Sequence, residues 1–288
     1  MAVRTALAPA KVNLFLHVGP VEADGYHPLA SLVAFADVGD RVSAAPAERL
    51  SLTVEGPFAV GLHETADNLI LRALRAFGEA AGIGEPPLAV ALDKQLPIAA
   101  GLGGGSSDAG AALKLAPHLL APHLEDGALA AIAATVGADG PMCLHARAAW
   151  AGGRGDRLDF EPRLPPLPAL LVNPGVASPT GPVYAAYDAG PPAAADRPAA
   201  PAAWTPTAVI DWLACCRNDL QAPAVARTPA IGEALQAVAA LPGARLTRMS
   251  GSGATVFALF AAPEEAGAAA RRLTENHPEW WIRPTNLV

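Results

Sequence analysis

Lysine is scarce in this sequence. Of 20 basic residues only Lys11, Lys94 and Lys114 are lysines, and charged side chains make up 16% of the 288 residues, against roughly 25% in an ordinary soluble domain. The balance is acidic, with a net charge of −7, so the chain lacks the basic footprint that nucleic acid or anionic lipid requires. Cysteine is scarce too. Three residues, two of them adjacent (Cys215 and Cys216), provide neither a disulfide framework nor a CxxC metal pair. Uncharged apolar runs are short, none approaching the ~20 residues of a membrane span. Pro9 and Lys11 stand where a signal peptide needs its apolar core. These absences predict a soluble, reduced, cytoplasmic protein with no nucleic-acid or membrane partner. The length allows one large domain or two small ones. Glycine and proline, 27 and 29 residues, stay below the roughly 25–30% that marks low-complexity chains.

Strand-like and helix-like stretches alternate. Val3–Ala8, Val12–Val18, Leu50–Glu55 and Leu88–Leu92 read as strands. Asp67 reads as the N-cap of a helix whose apolar positions recur through Phe77. A glycine-rich stretch, Ala99–Gly105, leads into a helix opening at Ser106, which Pro117 ends or kinks. Asp126–Val136 reads as helix, 137–141 as loop and Met142–Trp150 as strand. Prolines at 162, 165, 166 and 168 predict an inter-domain connection near residue 160, giving domains 1–160 and 161–288. Beyond it come a strand at Leu167–Val172 and an irregular exposed Ala/Pro-rich loop at 189–203. Helices follow around Val209–Leu213, Leu220–Arg227 and Ile231–Ala240. The strands Ala244–Met249 and Thr255–Phe260 flank the turn Ser250–Gly253, before a helix at Glu264–Glu275 and a strand at Trp280–Arg283. The mixture is α+β.

The segment Pro97-Ile-Ala-Ala-Gly101-Leu102-Gly103-Gly104-Gly105-Ser106-Ser107 places four glycines and two serines between a strand and a helix. Glycines let the backbone approach a ligand closely, and the free N–H groups of a helix start favour anions. A flexible turn is the plain alternative, at a large entropic cost. Spacing excludes the two commonest phosphate loops: Ser106 breaks GxGxxG, and no lysine follows Gly105 to complete a Walker A loop.

The pattern Pro-x-x-x-Gly-Leu-Gly-Gly-Gly-Ser-Ser is instead similar to the second motif of the GHMP small-molecule kinases. The segment Ala8-Pro-Ala-Lys11-Val-Asn13 with Asp24-Gly-Tyr26-His27-Pro resembles the opening of the branch that acts on 4-diphosphocytidyl-2-C-methyl-D-erythritol. Met249–Phe257 is similar to the third motif, Gly137–Pro141 to the catalytic loop, and Asn173–Gly175 with Ser178–Thr180 to the substrate wall. The matches are in the same order as in that family and span nearly the whole chain.

The resemblance implies a ribosomal-S5-like N-terminal ATP domain and a ferredoxin-like C-terminal domain. It implies ATP with Mg²⁺ as cofactors, a small-molecule cytidine diphosphate derivative as substrate, and a monomer or weak homodimer. No acidic pair identifies a protein ligand for the metal. Asp139 becomes the general base for the attacking hydroxyl, and Lys11 supports it; their plain readings are an Asx-turn aspartate and a solvated edge lysine. Asn13, Tyr26 and His27 become substrate contacts, an aromatic face and an imidazole suiting a flat hydrogen-bonding base. Thr180 and Tyr184 become the far wall of that pocket. Asn68 and Lys94 either contact the nucleotide or serve as a helix-start residue and a strand-end charge. Ser106 and Ser107 cap the helix, bind phosphate, or both. Two departures stand out. Gly140 and Met142 replace the usual valine and aromatic after the catalytic aspartate, which predicts a looser loop, and Asp108 stands where several relatives carry asparagine. The rivals are a homoserine- or mevalonate-like kinase and a nucleotide-binding protein without turnover.

Overall fold

The computed structural model describes residues 3–60, 62, 68–120, 124–191 and 193–288. The expected cap at Asp67, and His63 and His123, fall outside the described residues. The chain divides into two compact units. The first comprises residues 1–10, 38–96 and 103–146, and the second 11–37, 97–102 and 147–288. These are not consecutive blocks. A cut near residue 160 would leave Lys11–Asp37, Pro97–Leu102 and 147–160 on the N-terminal side, although all three pack with the second unit. The proline cluster at 162–168 leads directly into an interior strand of that same unit, so it shapes a turn and not a linker.

Strands β1 (Arg4–Val18) and β2 (Leu29–Pro46) pass through both units. The two strand-like runs at 3–8 and 12–18 are thus one strand, because Pro9 sits where an edge tolerates it. The first unit also holds β3 (Ser51–Glu55) and β4 (Leu88–Asp93), which pair in parallel, and β4 pairs antiparallel with residues 41–46 of β2. Its helices are α1 (Leu69–Ala80), α2 (Gly104–Leu119), α3 (Asp126–Val136) and α4 (Gly140–His145). Ile70, Leu74, Phe77, Leu88, Leu92 and Leu113 are all at most 1% exposed and form its core. The expected strand at 142–150 is instead α4 followed by β5 (Ala149–Gly153). Pro141 in the first turn suits a helix, since its missing N–H is one that no helix satisfies there. Pro117 does not break α2, which runs two residues past it.

In the second unit, residues 29–33 of β2 pair antiparallel with β5, and β5 with β6 (Arg157–Phe160). Strand β7 (Leu167–Asn173) is buried at every position, flanked by β10 (Trp281–Leu287) and β9 (Val256–Leu259), with β8 (Leu246–Met249) beyond. The helices α5 (Thr180–Asp188), α6 (Pro206–Ala214), α7 (Gln221–Arg227), α8 (Pro229–Ala239) and α9 (Pro263–Asn276) complete it. The hairpin at 244–260 and the last helix lie where their patterns place them, and the last strand runs beyond the expected Trp280–Arg283, to Leu287. The buried stretch 30–36 of β2 carries no readable period, being buried on successive residues and not on alternate ones, and the four residues of β6 alternate over too short a run to stand out. The Ala/Pro-rich segment is irregular as expected, but it is fastened. His17 Nδ1 meets Asp196 O at 2.7 Å, Arg217 donates to Ala194 O at 2.8 Å, and Trp212 donates to Ala199 O at 2.8 Å.

Candidate active site

In the first unit the chain turns at Gly103 (φ 64°) and enters α2 at Gly104, two residues ahead of the serines. Ser107 N–H is already bonded to Gly103 O at 2.9 Å. The N–H groups of Gly104, Gly105 and Ser106 belong to the first turn, ahead of any intrahelical acceptor, at the positive end of a sixteen-residue helix. Lys94 lies beneath this turn, with Nζ 3.0 Å from where a Cβ on Gly104 would stand. It is buried between two carboxylates, Asp40 at 2.5 Å and Asp108 at 2.7 Å. Burial works against its charge, but the two carboxylates outweigh that and raise its pKa. Asn68 is the N-cap of α1, its Oδ1 accepting from Ile70 N–H at 2.9 Å. Asp139 occupies the N-cap position of α4, and its carbonyl accepts from Cys143 N–H at 3.0 Å. Its side chain makes no capping bond to the helix.

In the second unit Lys11 Nζ donates to Asn13 Oδ1 at 2.8 Å, Asn13 Nδ2 to Ser31 Oγ at 2.8 Å, and Ser31 Oγ to Phe15 O at 2.5 Å. All of these side chains are buried. Asn13 N–H also donates to Ser250 Oγ, which donates to Gly101 O at 2.9 Å. The lysine head, the Pro97–Leu102 segment and the Ser250–Gly253 turn are therefore one hydrogen-bonded unit. Thr180 joins the same turn, Oγ1 to Ser252 Oγ at 3.0 Å. Gly101 is required there twice over. Its φ is +74°, and a Cβ would stand 2.3 Å from Ser250 O. Gly101→Ala should cost about 3 kcal/mol, lowering Tm by roughly 6–10 °C in a thermal melt; an unchanged melt would contradict this packing.

His27 and Tyr184 are brought together, with ring centroids 4.8 Å apart, and His27 Nε2 meets Asp188 Oδ1 at 2.7 Å. Tyr26 is 54% exposed, with the Arg154 guanidinium 4.0 Å over its ring and paired to Asp24.

Residues 68–147 match the model of the GHMP kinases N-terminal domain, and 210–279 that of the GHMP kinases C-terminal region. A 4-diphosphocytidyl-2-C-methyl-D-erythritol kinase of Caulobacter vibrioides is 54% identical over 286 residues, covering 98% of this chain and 99% of its own. The chain belongs to this family of GHMP kinases. A second relative of the same name, from Methylobacterium radiotolerans, is 50% identical over 285 residues and 97% of both chains. A crystal structure of 4-(cytidine 5′-diphospho)-2C-methyl-D-erythritol kinase, 35% identical, superposes with a TM-score of 0.77 over 99% of both chains. Homoserine kinase from Cytophaga hutchinsonii, at 17% identity and a TM-score of 0.66, shares the fold. The protein is accordingly an α+β GHMP kinase, an ATP-dependent phosphotransferase acting on a small molecule. Among the described residues no helix is long and apolar enough to cross a membrane.

Three side chains of this GHMP kinase that the sequence reading passed over hold the site's frame. Ser31 orients Asn13 from β2. Asn218 Nδ2 donates to Met249 O and Gly251 O, at 2.8 and 2.9 Å, pinning the 250–253 turn. Arg248, 6% exposed, donates to Leu14 O, Leu213 O and Cys216 O at 2.7–2.8 Å, and its burial lowers its pKa. The wide, planar arginine fork, with five N–H donors, suits three carbonyls that lie apart. Gly140 corrects an expectation. A Cβ there would stand 1.9 Å from Ala133 O, so the glycine lets α4 seat against α3 and tightens the loop after Asp139.

Proposed function

We propose that this kinase transfers the γ-phosphoryl group of ATP to the 2-hydroxyl of 4-diphosphocytidyl-2-C-methyl-D-erythritol, a step of the non-mevalonate route to isoprenoid precursors. The observation that carries the proposal is the 54% identity over nearly the full length of a relative bearing that name. In this reading the N–H groups of Gly104, Gly105 and Ser106 hold the ATP phosphates, with Ser107, Gly103 and the Pro97–Leu102 segment shaping the loop, and Asn68 and Lys94 support the nucleotide side. Mg²⁺ arrives with ATP as part of the substrate. Among the described residues no three His, Cys, Asp or Glu side chains converge on a metal position. Asp139 accepts the hydroxyl proton as the phosphoryl group arrives in line, and the Lys11 ammonium, oriented by Asn13, stabilises negative charge at the reacting centre.

The pyrimidine is read by Tyr26, His27 and Tyr184, with Thr180 on the pocket's wall. Asp188 Oδ1 lies 2.7 Å from His27 Nε2; with the ring neutral and its proton on Nε2, Nδ1 is an acceptor. An acceptor suits the exocyclic amine that distinguishes cytosine from uracil. Tyr26→Ala should raise KM for the cytidine substrate about tenfold or more with a smaller change in kcat, since a base–aromatic contact contributes roughly 1–3 kcal/mol. Steady-state kinetics checks this, and an unaltered KM removes Tyr26 from the pocket. The overall activity is tested by offering purified protein and Mg-ATP the diphosphocytidyl alcohol, homoserine and mevalonate separately. Turnover of either small alcohol without turnover of the cytidine compound overturns the proposal.

A further inference from the structure

Two buried carboxylates share one buried ammonium beneath the glycine turn, and the proposed phosphoryl transfer uses none of the three as a proton carrier. The side chains of Lys94, Asp40 and Asp108 are 4%, 0% and 5% exposed. Asp40 accepts from Lys94 through Oδ2, while its Oδ1 accepts from Gln95 N–H at 2.6 Å and Leu96 N–H at 2.8 Å. Asp108 accepts from Lys94 through Oδ2; among the described residues its Oδ1 has no hydrogen-bond partner, nor has the adjacent Ser107 Oγ. With both carboxyls ionised the cluster carries one uncompensated negative charge out of water, and a proton on one of them removes it. Three N–H donors stabilise ionised Asp40, and one stabilises Asp108. The proton therefore belongs on Asp108. Burial pushes this carboxyl up to about 7, with Lys94 opposing the rise and Asp40 adding to it.

We propose that Asp108 is a positioning residue held neutral in the working enzyme, and that loss of its proton places a net negative charge beneath the first turn of α2 and weakens ATP binding there. The inference rests on the reading of that turn as the phosphate loop. Helix α1 carries Arg72, Arg75 and Glu79, and α3 carries Asp126. Asp139, Cys143 and His145 lie at or on α4, Arg41 and Asp93 on β2 and β4, and Lys114 and His118 on α2 itself. Among the described charged groups, only Lys94 and Asp40 act on Asp108.

The test compares the whole chain with Asp108→Asn, which fixes the neutral form at nearly the same shape. Mg-ATP affinity is measured by calorimetry from pH 6 to pH 8.5. The parent Kd should rise about fivefold across this range, while Asp108→Asn should vary less than twofold and keep the low-pH value. KM for ATP should follow Kd, with KM for the alcohol unchanged. A carboxyl raised on folding stabilises the fold below the ordinary carboxylate range, and that stability is lost as pH rises through about 7. Between pH 6 and 8 the nucleotide-free parent should therefore lose more Tm than Asp108→Asn. If the variant does not fold, infrared spectra of the parent still decide, because a protonated-carboxyl band present at pH 6 must vanish by pH 8.5. Parallel Kd slopes in parent and variant, or absence of that band, overturn the proposal. Ser106→Glu separates the two readings. It should weaken ATP severalfold if the turn binds phosphate. An unchanged Kd overturns the phosphate-loop reading and the coupling with it, whereas parallel slopes beside a weakened Ser106→Glu overturn the coupling alone.

Discussion

Asp139→Asn should lower kcat by about a thousandfold while leaving the affinity for ATP within twofold. General-base catalysis contributes on the order of 10²–10⁴ in rate, and an amide of the same shape cannot accept the hydroxyl proton. The substitution is structurally mild. The aspartate side chain makes no capping bond to α4, and asparagine is as good a residue at a helix start, so circular dichroism and nucleotide titration should match the parent. Loss of turnover with retained ATP binding identifies a catalytic group. Full turnover in the variant would return Asp139 to the role of a turn residue, in a kinase whose base lies elsewhere.

The second large effect comes from the neighbouring residue. Gly140→Val should cost about 3 kcal/mol or more in stability, since even the first added carbon collides with the Ala133 carbonyl at 1.9 Å and neither backbone can yield without moving its helix. Tm should fall by roughly 10 °C. Activity should fall further than stability, at least a hundredfold at a temperature where the variant is folded, because α4 carries Asp139, the proposed base, at its start and a shift of about 1 Å in such a group costs that much. Gly140→Ala meets the same carbonyl and should show both effects in milder form. Parent-like melting and turnover in Gly140→Val would show that α3 and α4 are not packed as described.

The order of elements was legible wherever a run of residues has one dominant period or one clear boundary. Helix α3 begins and ends where Asp126 and the apolar spacing put it, and the turn at Ser250–Gly253 divides two short apolar runs as a hairpin requires. Strand β2 was not legible, because a stretch buried on both faces has no alternation, and besides β1 it pairs with the distant β4 and β5. Much of the candidate site was also readable: the glycine turn, Lys11 with Asn13, and His27 with Tyr184 stand in the stretches that carry the motifs. Ser31, Asn218 and Arg248 were hidden because their role is to bond backbone carbonyls or another side chain, a role that any polar residue at the right point in space can fill. Gly140 was misread because a missing side chain looks like looseness in a sequence, whereas in a packed structure it marks the closest approach. The burial of Lys94 likewise depends on Asp40, more than fifty residues earlier in the chain.

The interleaving of the two units sets an order of events during synthesis. The first unit contains no residue beyond 146, so a nascent chain can complete it while half of the protein is still unmade. The second unit cannot follow in step. Its strand β7 is flanked on one side by β10, whose register extends to Leu287, and a buried seven-residue strand with an open edge is a template for pairing with another chain. From the appearance of β7 to the emergence of residue 287, roughly 115 residues later at ~5–20 residues per second, that edge must be shielded by something other than its final partner. A ribosome pausing within this interval would expose the protein to aggregation far more than one pausing before it.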